Sequence, residues 1–351
     1  MKTEVVKVDF KNQSEDDKKL ERAADIIRHG GLVVFPTETV YGLGADATSA
    51  SAAMSIFAAK GRPSDNPLII HIADPKDAEK YAYTCKLYYK LAELYMPGPL
   101  TVILKAKENV PAETRGGLAT VAVRCPAHPV AHRLIELAGV PIAAPSANLS
   151  GSPSPTSAEH VVDDMMGRVD MIIDGGESEF GLESTIVKID DENTIMLLRP
   201  GKITAEELSL VADLRIADAV TDKLRDGETA LSPGMKYRHY APKAPVLLLD
   251  ATVEDAISYI RENKQSKCAV LCYTDELESY RAALTDVTLY EFGRRDDELT
   301  QAHQLFSLLR EADKEDFDVI FAPLPSKSGI GLALYNRMIR AAAHRIISLR
   351  R

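Results

Sequence analysis

Apolar positions along the chain fall into two periods. Runs with every second, or nearly every, residue apolar predict strands, and apolar residues three and four apart predict helices. Residues 5–10 (VVKVDF) alternate and predict a strand. Over 16–29, Leu20, Ala23, Ala24 and Ile27 recur at helical spacing, and Gly30 and Gly31 stop the helix. LVVFPTETVYGLG, from residue 32, reads as a strand running into a loop. Further helices are predicted over 51–59, 77–95, 128–138, 157–166 and 204–211. PLIIHIA, LTVILKA, TVAVRCP, VPIAAPSAN, VDMIIDGG, STIVKID and TIMLLRPG read as strands or strand-to-loop transitions. Many strands with few clean β-α-β alternations predict an α/β domain over residues 1–212, built on a mixed, twisted sheet with helices.

From 213 to 243 the periodicity fades. LSPGMKYRHYAPKAP is a linker by composition, yet it holds more tyrosine, histidine and cations than a spacer requires. From 244 to 351 alternation returns. VLLLD, CAVLCY, DVTLYEF and FDVIFAPLP are strands separated by helices, the last predicted over 331–348. This is a smaller, Rossmann-like parallel α/β domain. It lacks G-x-G-x-x-G, and its sequence assigns it no chemistry.

Composition refines this picture. A chain of 351 residues, 45% apolar and 27% charged, is enough for two domains with cores of their own. A net charge of -10 argues against broad nucleic-acid binding but leaves room for a local basic pocket. The first residues have no apolar signal core, and no uninterrupted apolar run is long enough to span a membrane. A soluble, cytoplasmic protein without membrane association is expected. Cys268 and Cys272 would share one strand face roughly 13 Å apart, too far for a disulfide or a common metal. Cys85, Cys125, Cys268 and Cys272 are expected to be free thiols.

The chain has no G-x-x-x-x-G-K-[ST], no H-E-x-x-H and no G-x-S-x-G. His128 and His132 have metal-ligand spacing, but nothing nearby supplies a third ligand. What remains are loops that follow strands. Residues 35–44 combine hydroxyls with glycines that let a ligand approach the backbone. Residues 60–67 place Lys60 and Arg62 in a Gly/Pro loop suited to phosphates or carboxylates, with His71 downstream. Thr120 and Arg124 share one strand face, and an arginine between apolar neighbours requires an anionic partner, either a structural carboxylate or a ligand. Residues 144–154 are dense in short donors able to wrap phosphates. Glu183-Ser184-Thr185 precedes a strand, and Arg199-Pro200-Gly201 follows one.

Lys60-x-Arg62 with Ser146-x-Asn148 resembles the K-x-R…S-x-N signature of YrdC-type domains. FPTETVYGLG, KGRPSDNPL, PGPLT, VAVRCP, APSANLSG, ESTIV and LRPG occur in that family's order. The resemblance spans residues 15–212 and continues through the linker, as in two-domain L-threonylcarbamoyladenylate synthases. It implies synthesis of threonylcarbamoyl-AMP and pyrophosphate from L-threonine, bicarbonate and ATP in a concave basic pocket. It places Thr39, His71, Arg124, Ala144 and Ser184 around threonine. It places Lys60, Arg62, Asn66, Thr120, Ser146, Asn148, Ser154, Arg199 and Tyr237 around ATP; residues 236–240 are in turn expected to form a lid. It further implies Mg2+ carried with ATP rather than held by a protein metal site. The product would pass to a tRNA threonylcarbamoyl transferase complex, and direct contact with tRNA is left open. The alternative class is an RNA-binding module acting in tRNA or ribosome maturation without ATP turnover.

Overall fold

The computed structural model describes residues 1–223, 231–232 and 239–350. Among these, twelve strands form one mixed sheet and five form a second, wholly parallel sheet. Helix Gln13–Arg28 is capped by Asn12, whose side chain accepts from the Glu15 N–H. Its buried stripe of Leu20, Ala23, Ala24 and Ile27 packs with Val130, Leu134 and Ala138 of helix Pro129–Ala138. Both helices lie over Val33, Phe35 and Met171 of the first sheet. Helix Ala50–Lys60 begins at Ser49 and stops at Gly61, which adopts φ +61. That left-handed residue ends the helix cheaply and carries Lys60 and Arg62 out of it in different directions.

The register of the first sheet assembles the site. Strand Ile69–His71 runs parallel to Thr120–Arg124, with His71 opposite Arg124. Arg124 in turn faces Thr101 of the antiparallel strand Leu100–Ala106, and Thr101 faces Ile186 of strand Thr185–Ile189. His71, Arg124, Thr101 and the residue ahead of Thr185 therefore line one end of the sheet. A bridge between Gly42 and Ser146 ties the loop at 36–41 to the loop at 144–154.

Several elements differ from the sequence expectation. The helix expected over 77–95 is broken. Short helix Ala78–Tyr81 gives way to strand Ala82–Tyr83, which pairs with Leu100–Ala106 before helix Lys86–Tyr95 begins. Lys105 and Lys107 both sit over the Tyr83 ring, so cross-strand contacts override local helix preference. The supposed loop around residue 42 is strand Gly42–Asp46, a hairpin partner of Val33–Phe35. Asp213–Ile216, expected in the linker, is a strand at the edge of the first sheet, parallel to Thr194–Arg199. The helix expected to reach 348 ends at Ala341. Ala343 and His344 take positive φ, and Ile346–Ser348 joins the second sheet beside Val246–Asp250.

That last helix, Gly329–Ala341, lies between the two units. Its Leu332 belongs to the core of the first, while Leu334 and Met338 pack with Phe306 in the core of the second. Val40, Phe180 and Leu182 of the first unit join that second core. All four cysteines are free, and burial pushes the Cys125 and Cys272 thiols up to about 12. Among the described residues no helix is long and apolar enough to cross a membrane.

Candidate active site

The loops at the end of the first sheet line a partly open cavity. Thr39, His71, Arg124, Ala144 and Ser184, the set expected around threonine, all line it. So do Arg62, Ser146 and Arg199 of the set expected around ATP. Thr37, Tyr41, Glu183, His239 and Tyr240 complete much of the wall.

Arg124 does have a structural carboxylate partner. Its Nη2 donates to Oε1 of buried Glu38 at 2.7 Å, and its Nε reaches the Gly98 carbonyl at 3.4 Å. Burial raises the Glu38 carboxyl, but Arg124 more than offsets this and holds it below the usual range. The second oxygen, Glu38 Oε2, has no partner among the described residues. His71 Nδ1 lies 3.3 Å from the Ile142 carbonyl oxygen. A carbonyl only accepts, so Nδ1 carries the hydrogen and Nε2 is left as an acceptor. Burial, reinforced by Arg124, pushes His71 down to about 3, so the ring is neutral. Thr39 Oγ1 contacts Thr37 Oγ1 at 2.9 Å, and Ser184 Oγ contacts Thr101 Oγ1 at 2.8 Å.

On the other side, Arg62 Nη2 donates to the carbonyls of Asn66 and Pro67. Its Nε is buried without a partner among the described residues. Arg199 Nε donates to the Ser184 carbonyl at 3.0 Å and Nη2 to Ser184 Oγ at 3.1 Å. Burial lowers both guanidiniums to about 10, so both remain cations at neutral pH. Unspent donor capacity on buried cations suits an anionic ligand.

Not every expected ATP residue reaches the wall. Lys60 Nζ is sealed beneath the 144–154 loop, donating to the carbonyls of Ser146 and Asn148. Asn148 turns inward as well, bonding Ser146 Oγ and the carbonyls of Leu149 and Ser152. The K-x-R…S-x-N signature thus splits by role. Lys60 and Asn148 order the loop, and Arg62 and Ser146 face the cavity. Ser154 acts through Glu183, to which its Oγ donates. Asn66 is buried and Thr120 half-buried, both off the cavity wall. Tyr237 lies outside the described residues, as do Lys236 and Arg238 of the expected lid. His239 and Tyr240 of that segment are buried against the site.

Sequence reasoning did not single out Glu38 or the fully buried Arg337, whose Nε bonds Glu183 at 2.9 Å. Neither carries a local signal of its pairing, because its partner lies 86 or 154 positions away.

Residues 25–201 match the Sua5, YciO and YrdC family model, described as telomere recombination. Residues 203–343 match the model described as the threonylcarbamoyl-AMP synthase C-terminal domain. The chain is 45% identical to the threonylcarbamoyl-AMP synthase of Pyrococcus abyssi, over 95% of this chain and 97% of that protein. It is 41% identical to the Bacillus subtilis threonylcarbamoyl-AMP synthase, over 99% and 100%. The crystal structure of P. abyssi Sua5 complexed with L-threonine superposes with a TM-score of 0.88 at 42% identity, covering 100% of both chains. Escherichia coli YciO superposes with a TM-score of 0.50 at 25% identity, covering 57% of this chain and 96% of that one.

Proposed function

The chain belongs to the threonylcarbamoyl-AMP synthase family, and from that premise we propose how its cavity performs the synthesis: L-threonine, bicarbonate and ATP meet in it, and pyrophosphate leaves. Arg124 holds the threonine carboxylate, with Glu38 fixing the guanidinium from behind. Neutral His71 accepts from the threonine hydroxyl through Nε2. Thr39, Ser184 and the backbone of Ala144 hold the carbamate that threonine forms with bicarbonate. Arg62, Arg199 and Ser146 receive the triphosphate, and the loop anchored by Lys60 and Asn148 wraps it.

Adenylation needs no protein nucleophile. A carbamate oxygen attacks the α-phosphorus, its bond to phosphorus forms, and the bond to the departing pyrophosphate breaks with the electron pair. The protein supplies positioning and charge stabilisation. Among the described residues no cluster of histidines, cysteines and carboxylates could cage a metal, and the nearest carboxylates are committed to guanidiniums. Mg2+ bound together with ATP would offset charge on the leaving group. The product then passes to a tRNA threonylcarbamoyl transferase complex.

The observation that carries this reading is the convergence of Arg124, His71, Thr39, Ala144 and Ser184 with Arg62, Arg199 and Ser146 on one cavity. The test is pyrophosphate release from ATP with bicarbonate and each amino acid in turn. Threonine-specific release is expected. Retention of tRNA with no release would favour an RNA-binding module instead.

A further inference from the structure

Two opposite charges from two structural units meet behind the nucleotide side of the cavity. Glu183 stands on the wall, 6% exposed, next to Ser184. Its Oε1 accepts from Ser154 Oγ, which ties it to the 144–154 loop. Its Oε2 accepts from Arg337 Nε at 2.9 Å. Arg337 comes from helix Gly329–Ala341 of the C-terminal unit and is 0% exposed. Its Nη1 donates to the Pro200 carbonyl at 2.8 Å and its Nη2 to the Glu183 carbonyl at 3.3 Å. The guanidinium also lies 5.7 Å from the centroid of the Tyr240 ring. One side chain thus crosses between the units and grips the two turns that present Ser184 and Arg199.

A carboxylate on the wall of a triphosphate pocket repels its ligand unless something cancels it. We propose that Arg337 is a positioning residue of the active site that neutralises Glu183, making the C-terminal domain part of the ATP subsite. The proposal deepens the function proposed above and rests on it. The first oxygen of Glu183 orders Ser154, and Arg337 makes that carboxylate compatible with a nucleotide.

The electrostatics agree with the geometry. Burial raises the Glu183 carboxyl, but Arg337, then Arg199, and the Ser154 hydrogen bond more than offset this and hold it below the usual range. The titratable and charged groups around it are Arg337, Arg199, Tyr240, His239 and Lys60. Removing Arg337 takes away its hydrogen-bonded cation, so the carboxyl shifts upward and becomes easier to protonate, with Arg199 and Ser154 still opposing burial.

The test uses the full chain and follows threonine-dependent pyrophosphate release while ATP is varied. In Arg337→Met the KM for ATP is expected to rise about tenfold or more while the KM for threonine changes less than about twofold. That raised KM should be relieved, relative to wild type, as pH is lowered, because protonating Glu183 removes the repulsion. The double variant Arg337→Met/Glu183→Gln should return the KM for ATP to within about threefold of wild type at every pH. Equal KM values for ATP in the single and double variants overturn the proposal, as do parallel losses for ATP and threonine. If the single variant does not fold, the double variant decides. A folded double variant with near-normal ATP affinity supports charge cancellation, and an unfolded or ATP-deficient one overturns it. Absence of threonine-dependent release in the wild type would instead count against the function itself, and is seen before any variant is made.

Discussion

His71 enters the site as a neutral ring, and so does His239. Burial is the leading cause for both and lowers each to about 3, against an ordinary value of about 6.5. Unfolding restores the ordinary value, so below about pH 6.5 the unfolded chain binds protons that the native chain refuses. Stability therefore falls as pH falls. Thermal melting should shift downward between about pH 7 and pH 5, and His71→Asn should flatten that slope. Arg124 and Glu38 make the complementary case, a buried pair whose halves depend on each other. Arg124→Gln leaves the Glu38 carboxylate buried beside a neutral histidine, and is expected to cost about 3–5 kcal/mol in urea unfolding. The same variant should lose threonine binding in calorimetry, because the fork that would hold the amino-acid carboxylate is gone.

Elements with a strong buried stripe were legible in the sequence, since their period is set by one face meeting the core. Helix Gln13–Arg28 and the buried strand Cys268–Cys272 are examples. Asp213–Ile216 was not legible because it is only four residues long and three of them are exposed at the sheet edge, so its short alternation marks no buried face. Gly42–Asp46 was hidden by its glycines, which resemble a turn but are needed for packing. A side chain at Gly44 would meet Phe35 and Ile142 below 3 Å. The loops of the site were legible by composition and order, whereas the partners of Arg124 and Glu183 were not, because long-range pairing leaves no local pattern. Gly181 shows how tightly the two units meet. It has φ +85, and a Cβ there would lie 2.7 Å from the backbone of His303. Gly181→Ala should destabilise the protein by about 2 kcal/mol or more, from strain and from prising the units apart. Chemical denaturation would read this as a lower midpoint, and an unchanged midpoint would show that the contact can relax.

At the scale of the whole molecule, the two sheets do not behave as beads on a string. Leu332 packs in one core while its helix neighbours pack in the other, and Val40, Phe180 and Leu182 cross the opposite way. Asn336 and Arg340 from the same helix bond the carbonyls of Val220 and Ala219. Shared apolar contacts and a buried polar network couple the units, so calorimetry should record one unfolding transition. Two separated transitions would contradict this. The bridge between Glu183 and Arg337 also has a consequence in time. Its partners are 154 residues apart, and a ribosome adding about 5–20 residues per second makes the second roughly 8 to 30 s after the first. Until helix Gly329–Ala341 has been made and docked, Glu183 lacks its Arg337 partner. If Arg337 neutralises Glu183 as proposed, ATP use waits on the docking of that helix, however early the first domain is made.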